Sequence, residues 1–184
     1  MIKGEGYMVR LEFFNPSDFS QLIKWSGDEK FLLQWAGPQF KFPLSEEQLE
    51  KYIEGSNDIL NSDRLIYKTV DSATETVIGH ISLGNIDKEN LSARIGKVLI
   101  GSTSMRGKGI GHEMIKQILW IGFHELKLHR ISLGVFDFNE GAIKCYEKLG
   151  FSREGLLRDV RKFKNTYWNL VEMSILEDEW RKIY

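Results

Sequence analysis

The chain has 184 residues, of which 42% are hydrophobic and 28% are charged, and its formal net charge is −1 at pH 7. This length and composition predict one globular domain over residues 1–184, and the near-zero charge argues against a nucleic-acid-binding protein. The single cysteine, together with the lack of an apolar stretch as long as a signal peptide or a membrane span, predicts a cytoplasmic protein without a membrane partner.

The first third of the chain is predicted to form a strand followed by two short helices. Residues 8–14 alternate apolar and polar side chains, which indicates a strand, and residues 15–18 (Asn-Pro-Ser-Asp) provide a turn into the first helix. Residues 45–48 (Ser-Glu-Glu-Gln) suit a capping box that begins the second helix. The composition between these helices, over residues 31–43, shifts to aromatic side chains, glycine and proline.

The middle of the chain is predicted to be a hairpin that a third strand extends. Residues 65–70 and 77–86 are apolar runs joined by the polar turn 71–75. His80, inside the second run, is expected to be a satisfied core residue. Residues 95–100 are expected to form the next strand of the same sheet.

A glycine-rich loop follows that strand. Its residues are Arg106, Gly107, Lys108, Gly109, Ile110 and Gly111. Apolar side chains then recur at helical spacing, so the loop joins a strand to a helix. Glycines let backbone N–H groups converge and the helix N-terminus adds its own, which suits a phosphate or pyrophosphate. The composition alone fits an ordinary turn equally well, and the spacing matches neither a Walker loop nor a Rossmann loop.

A second segment carries another strand and a short helix. Residues 129–136 predict the strand, Asn139 is placed to cap the helix that follows, and Gly150 is placed to end it. Ala142 and Tyr146 lie three and seven positions after Asn139, on one face of this helix.

Together these two segments resemble the GNAT superfamily of N-acetyltransferases. Residues 106–111 match its Arg/Gln-x-x-Gly-x-Gly/Ala loop, and residues 139–151 (Asn-x-x-Ala-x-x-x-Tyr-x-Lys-Leu-Gly-Phe) match its second coenzyme A segment. The long opening region and the Tyr-Glu-Lys-Leu-Gly-Phe ending look most like the ribosomal-protein N-terminal (Rim-type) and spermidine acetyltransferase branches. The resemblance implies an α+β, three-layer fold, in which helices flank a mixed, mostly antiparallel sheet with one splayed parallel strand pair.

The resemblance also implies an acetyl-CoA-dependent N-acetyltransferase that uses no metal. In the family, the pantetheine arm of the cofactor pairs with backbone groups where two parallel strands part, and the pyrophosphate rests on the glycine-rich loop. The cofactor-binding residues carried over to this chain are Val98, Leu99, Ile100, Arg106, Gly107, Lys108, Gly109, Ile110, Gly111, Asn139, Ala142 and Tyr146. The partner strand is expected at residues 131–135, and residues 31–43 are expected to form either a wall of the acceptor pocket or part of the core.

Tyr146 is the candidate catalytic residue. A phenol with a pKa of about 10 can protonate a developing thiolate with a pKa of about 8.5 in the transition state. On an amphipathic helix, however, a tyrosine is also a common packing residue. No general base is evident, because the polar residues of the motif strand are Arg94 and Lys97, and distant carboxylates such as Glu172 are expected to be solvated. Cys145 is expected to be a small core residue.

These motifs leave the acceptor open. At pH 7, an α-amine with a pKa near 8 needs about 1.4 kcal/mol to lose its proton, whereas a lysine or polyamine amine needs about 4.6 kcal/mol. A site without a strong base therefore favours a protein or peptide N-terminal α-amine, with a polyamine or other small-molecule amine as the alternative. A non-catalytic acyl-CoA sensor and a nucleotide-phosphate binder of another fold are competing hypotheses. The protein is expected to be a monomer or homodimer.

Overall fold

A seven-stranded mixed sheet forms the centre of the protein in a computed structural model that describes residues 8–101 and 105–184. The strands are β1 (Val9–Phe13), β2 (Leu65–Asp71), β3 (Val77–Asp87), β4 (Ser92–Ile100), β5 (Arg130–Phe136), β6 (Ser152–Phe163) and β7 (Thr166–Leu176). Their order across the sheet is β1-β2-β3-β4-β5-β7-β6. Each strand predicted from the sequence is present, within a few residues of its expected bounds.

One neighbouring pair in this sheet, β4 and β5, is parallel, and the other neighbouring pairs are antiparallel. A parallel pair needs a long crossover connection, and here that connection contains a helix. The predicted fold class, a mostly antiparallel mixed sheet with one parallel pair, is therefore confirmed. It excludes the nucleotide-phosphate binder of another fold.

Helices cover both faces of the sheet. They are α1 (Phe19–Trp25), α2 (Glu29–Ala36), α3 (Glu46–Ile53), α4 (Ile110–Trp120), α5 (Glu140–Lys148) and α6 (Glu177–Ile183). A single π-helical turn, Ile121–Glu125, continues α4. Neither α2 nor α6 was predicted from the sequence. Most of α2 lies in the segment 31–43, which was distinguished only by its composition, and the seven residues of α6 are mostly charged and have no clear apolar stripe. None of the helices in the described ranges is long and apolar enough to cross a bilayer.

The cap of α3 differs in part from the predicted capping box. The Ser45 side chain accepts a hydrogen bond from the Gln48 backbone N–H, as expected. The Gln48 side chain does not return to the backbone of Ser45, because its amide instead donates to the carbonyl oxygens of Lys41 and Pro43. Gln48 thereby ties the chain that precedes α3 to the helix itself.

Two hydrophobic clusters lie on opposite faces of the sheet. On β2, the side chains of Leu65 and Tyr67 belong to one cluster and that of Ile66 belongs to the other, as the alternation of a strand requires. The first cluster packs beneath α4 and α5, and the second packs beneath α1, α2 and α3. The result is three layers, with the sheet in the middle.

Candidate active site

The two parallel strands β4 and β5 part halfway along their length. Residues 92–95 of β4 pair in register with residues 130–133 of β5, and the last pair is Ile95 with Leu133. Both strands continue beyond this point, β4 to Ile100 and β5 to Phe136, without pairing with each other. Backbone groups on these facing edges are therefore available to an added extended chain. A cleft of about 1340 Å³ opens at this gap.

A β-bulge lies in β4 immediately after the last β4–β5 pair. His80 of β3 pairs with Leu99, whereas Ser82 pairs with Gly96, so β4 has one more residue than β3 between these two pairs. Lys97 lies within the bulge with a backbone φ of 51°. This left-handed conformation is rare for a residue that carries a Cβ atom. The bulge bends the strand at the place where the cleft begins.

The glycine-rich loop forms one end of the cleft. Gly107 and Gly109 have φ values of 77° and 81°, which glycine adopts without strain. Gly109 is the N-cap residue of α4 and provides no side chain to bind the first N–H groups of that helix. An ideal Cβ atom on either glycine meets no atom of the described residues within 4 Å, so none of these residues fills the space beside the loop. These features fit a phosphate or pyrophosphate group.

Helix α5 forms the other side of the gap. The Asn139 side chain accepts a hydrogen bond from the backbone N–H of Ala142 at 3.4 Å, so it caps the helix as predicted. Tyr146 lies one helical turn after Ala142 and is 8% exposed. Its ring packs against that of Phe151, with 5.9 Å between ring centroids, and its hydroxyl has no hydrogen-bond partner in the described part of the chain. Burial raises the pKa of Tyr146 above its ordinary value.

The structure brings eleven of the twelve predicted cofactor-binding residues to one cleft. They are Val98, Leu99, Ile100, Arg106, Gly107, Gly109, Ile110, Gly111, Asn139, Ala142 and Tyr146. Lys108 is exposed and is not among the residues that line the cleft. The side chains of Leu99 and Ile110 are buried in the core, so these two residues present mainly backbone to the cleft.

Of two expectations about neighbouring residues, one holds in part and the other is wrong. Cys145 is half-buried and packs against the core, but it also lines the cleft beside Tyr146, because the cleft extends around more than one face of α5. Burial raises the pKa of its thiol. Glu172 is not a solvated carboxylate, since both of its oxygens accept hydrogen bonds from Arg94, at 2.7 and 2.8 Å. This pair joins β4 to β7 across β5.

The wall opposite α5 contains part of the aromatic segment 31–43. Phe31 and Trp35 of α2 line the cleft. The guanidinium of Arg106 lies over the Phe31 ring, with 5.9 Å between its carbon and the ring centroid, and so connects this wall to the glycine-rich loop. Phe40 lies in the core, and Phe42 is 52% exposed and outside the cleft. The segment is thus divided between the core and the lining of the cleft, and its role as a wall of the acceptor pocket stays a prediction.

His80 lies behind this wall and is fully buried. Its Nε2 atom is 3.2 Å from the hydroxyl oxygen of Tyr52, a residue that lines the cleft. Its Nδ1 atom has no partner among the described residues, so only one ring nitrogen is satisfied. Burial lowers the pKa of His80 to about 3, with a smaller contribution from the charge of Lys97. The imidazole is therefore neutral at physiological pH.

Comparisons with known proteins agree with this geometry. Residues 9–152 match the family model described as acetyltransferase (GNAT) domain. The chain is 30% identical to the probable N-acetyltransferase YjcK of Bacillus subtilis over 192 aligned positions, which cover 97% of this chain and 98% of the relative. It is 29% identical to the spermidine N(1)-acetyltransferase of Vibrio cholerae, over 78% of each chain.

A solved structure shows the same fold. The crystal structure of spermidine N-acetyltransferase from Vibrio cholerae in complex with CoA and spermine superimposes with a TM-score of 0.81. The match covers 96% of this chain and 99% of that chain, at 23% sequence identity.

Proposed function

This chain belongs to the GNAT acetyltransferase family, and we propose that it transfers the acetyl group of acetyl-CoA to the primary amine of a small molecule. The observation that carries the proposal is the parting of β4 and β5 after Ile95 and Leu133. The gap has the glycine-rich loop at one end and Tyr146 on the facing helix. Acetyl-CoA supplies an activated acyl group and a thiolate leaving group.

Backbone groups carry most of the proposed cofactor binding. Residues 98–100 of β4 offer an unpaired strand edge that suits the two amide groups of a pantetheine arm. The space beside Gly107 and Gly109, next to the N-terminus of α4, suits a pyrophosphate. Arg106, held near Phe31, places a cation at the same end of the cleft.

In this proposal Tyr146 acts as the proton donor. The nitrogen of the acceptor forms a bond to the acetyl carbon, the carbon–sulfur bond breaks, and the sulfur takes a proton from the phenol. The proton that the amine loses goes to solvent, and Tyr146 regains its own proton from solvent. Because burial raises its pKa, the phenol stays protonated at neutral pH, and the proton transfer is driven by the charge that develops on the sulfur.

Neither the carboxylate of Glu172 nor the imidazole of His80 is suited to act as a general base that deprotonates the acceptor amine. Glu172 is held in its bidentate ion pair with Arg94, and His80 is enclosed behind Tyr52. The acceptor is therefore expected to bind as a free amine, which favours amines of low pKa. A peptide α-amine fits this condition and remains the second candidate acceptor.

A small-molecule acceptor is preferred over a peptide because of the relatives. The Vibrio cholerae relative that matches 78% of this chain is named for spermidine, a small amine. At 29% identity this similarity supports a small amine in general, without selecting spermidine itself.

The proposal is tested by measuring thiol release from acetyl-CoA with four classes of amine at equal concentrations of the unprotonated form. The classes are α-amino peptides, polyamines, amino acids with their derivatives, and aminoglycosides. Binding of acetyl-CoA is measured separately by calorimetry. We expect micromolar binding and amine-dependent release, and binding without release on any amine would favour the acyl-CoA sensor instead.

A further inference from the structure

Lys97 places a positive charge on the wall of the cleft without a carboxylate partner. Its ammonium group donates a hydrogen bond to the side-chain oxygen of Gln39. It also lies over two aromatic rings, 4.8 Å from the centroid of Tyr52 and 5.6 Å from that of Phe40. No carboxylate among the described residues forms an ion pair with it. The amide and the rings hold the ammonium in place but leave its charge uncompensated.

Other cations that pack against the same sheet do have carboxylate partners. Lys68 pairs with Asp18 at 3.1 Å, and Arg94 pairs with Glu172. A partly buried cation normally requires such a partner, because removal from water without one costs free energy. Burial of Lys97, with a smaller contribution from the charge of Arg64, lowers its pKa to about 8. The positive charge of Lys97 therefore has no evident stabilising role in the fold.

The position of Lys97 relates it to the acceptor rather than to the cofactor. It lies two residues after Ile95, where β4 and β5 part, and one residue before the segment 98–100 that suits the pantetheine arm. Its partner Gln39 belongs to the aromatic segment 31–43, and its partner Tyr52 lies on α3 and also lines the cleft.

Several further cations line the same cleft, and they include two that have no buried carboxylate partner among the described residues. Arg64 is one, and its own partner is Asp63, a mostly exposed neighbour. Arg161 is the other, and its Nε atom is buried without a hydrogen-bond partner among the described residues. Among the described residues that line the cleft, the one carboxylate is that of Asp63, which is already paired with Arg64, so cations outnumber carboxylates there.

We propose that Lys97 binds an anionic group of the acceptor, so that the substrate is a primary amine that also carries a carboxylate or a phosphate. The inference rests on the proposed acetyl transfer and narrows its acceptor class. An anionic oxygen would supply the partner that Lys97 lacks and would reduce its repulsion with Arg64. A polycation such as spermidine would meet the same charges and be repelled.

The test compares acceptors that differ only in this group. One pair is an ω-amino carboxylate and its primary amide, and a second pair is a phosphoethanolamine and ethanolamine, with spermidine as a third arm. The value of kcat/KM is measured for the wild type and for Lys97→Met, at equal concentrations of the unprotonated amine. Lys97→Arg keeps the charge, and Lys51→Met is the matched control, since Lys51 is exposed on α3 and pairs with Glu47 outside the cleft.

We expect the wild type to prefer the anionic member of at least one pair by about tenfold to a hundredfold. Lys97→Met should lose this preference while it binds acetyl-CoA as the wild type does. Lys97→Arg should retain most of the preference, and Lys51→Met should retain all of it. The pair that shows the effect distinguishes a carboxylate from a phosphate. The inference would be overturned if the wild type used the neutral and the anionic member of each pair equally well, or if it preferred spermidine and Lys97→Met left that preference unchanged. Either result would leave the acetyltransferase proposal intact.

A binding measurement keeps the inference testable if no amine in the panel gives turnover. Acetate or inorganic phosphate is added to the protein saturated with CoA, at constant ionic strength, and the thermal midpoint is recorded. A rise in the wild type that is absent in Lys97→Met supports an anion site at Lys97. Equal shifts in both proteins, or no shift in either, contradict it.

Discussion

Replacement of Tyr146 by phenylalanine separates a chemical role from a packing role, because the two predict different losses. The substitution removes one oxygen atom that has no hydrogen-bond partner in the described ranges, and the ring keeps its contact with Phe151. With no hydrogen bond lost, the free energy of unfolding should change by less than about 0.5 kcal/mol. Loss of a general acid should lower kcat by about 10²–10⁴-fold, which corresponds to about 3–5 kcal/mol in the activation barrier.

The assay is thiol release under saturating acetyl-CoA, with urea unfolding and calorimetry on the same preparations. Tyr67→Phe is the matched control. Tyr67 is also buried, at 5% exposure, and its hydroxyl has no partner among the described residues, but it lies outside the cleft and stacks on Phe13. We expect both variants to keep their stability and acetyl-CoA affinity, and only Tyr146→Phe to lose turnover. If Tyr146→Phe keeps more than a third of the wild-type kcat, Tyr146 is a packing residue and not the proton donor.

Three further predictions concern stability, the loop and the thiol. Lys97→Met should raise the free energy of unfolding at pH 7 by about 1–2 kcal/mol. Folding lowers the pKa of this lysine from about 10.4 to about 8, which corresponds to about 3 kcal/mol, and solvent screening of the half-buried side chain and loss of its hydrogen bond to Gln39 reduce the gain. As pH rises from about 8 to 10.4, the unfolded wild type loses the proton that the folded protein has already released, so the wild type becomes more stable. The difference in unfolding free energy between the two proteins, measured with urea, should therefore shrink over this pH range. A constant difference would contradict the lowered pKa of Lys97. Gly109→Ala should lower the free energy of unfolding by about 1–2 kcal/mol, because the backbone φ at this position is 81°, and it should weaken acetyl-CoA binding in calorimetry. Gly155→Ala is the control: a Cβ atom there meets no described residue and the φ is not positive, so acetyl-CoA binding should not change. Cys145 should react with a disulfide reagent more slowly than a free thiol, because burial raises the pKa of its thiol. The reaction should be slower still when acetyl-CoA is bound, since Cys145 lines the cleft. A reaction rate that does not depend on acetyl-CoA would show that the cofactor does not bind beside Cys145.

Local sequence patterns predicted most of the elements and the loop and helix expected on the cofactor side of the site. A glycine-rich loop between a strand and a helix indicated an anion-binding turn, and Asn139 with Tyr146 marked one face of the helix that follows. These signals depend on backbone preferences and on periodicity over a few residues, which a sequence displays directly. Helices α2 and α6 were missed, α6 because it lacks such a signal and α2 because the composition of residues 31–43 did not suggest a helix.

The acceptor side depended on contacts between distant parts of the chain. Arg94 and Glu172 are 78 positions apart, so only strand order and register could reveal that this carboxylate is paired rather than solvated. The last β4–β5 pair and the bulge at Lys97 are likewise properties of register, which no single strand sequence specifies.

The sequence by itself indicated the course of the strands and the loop suited to a pyrophosphate, because each follows from residues that are neighbours in the chain, and the fold class followed from the resemblance that two of its segments carry. Only the tertiary structure decided where the parallel strands part and which charges face the cleft. The physical reason is that a charge is compensated by whatever lies near it in space, and for Lys97 the neighbours are an amide and two aromatic rings from α3 and the chain that precedes it.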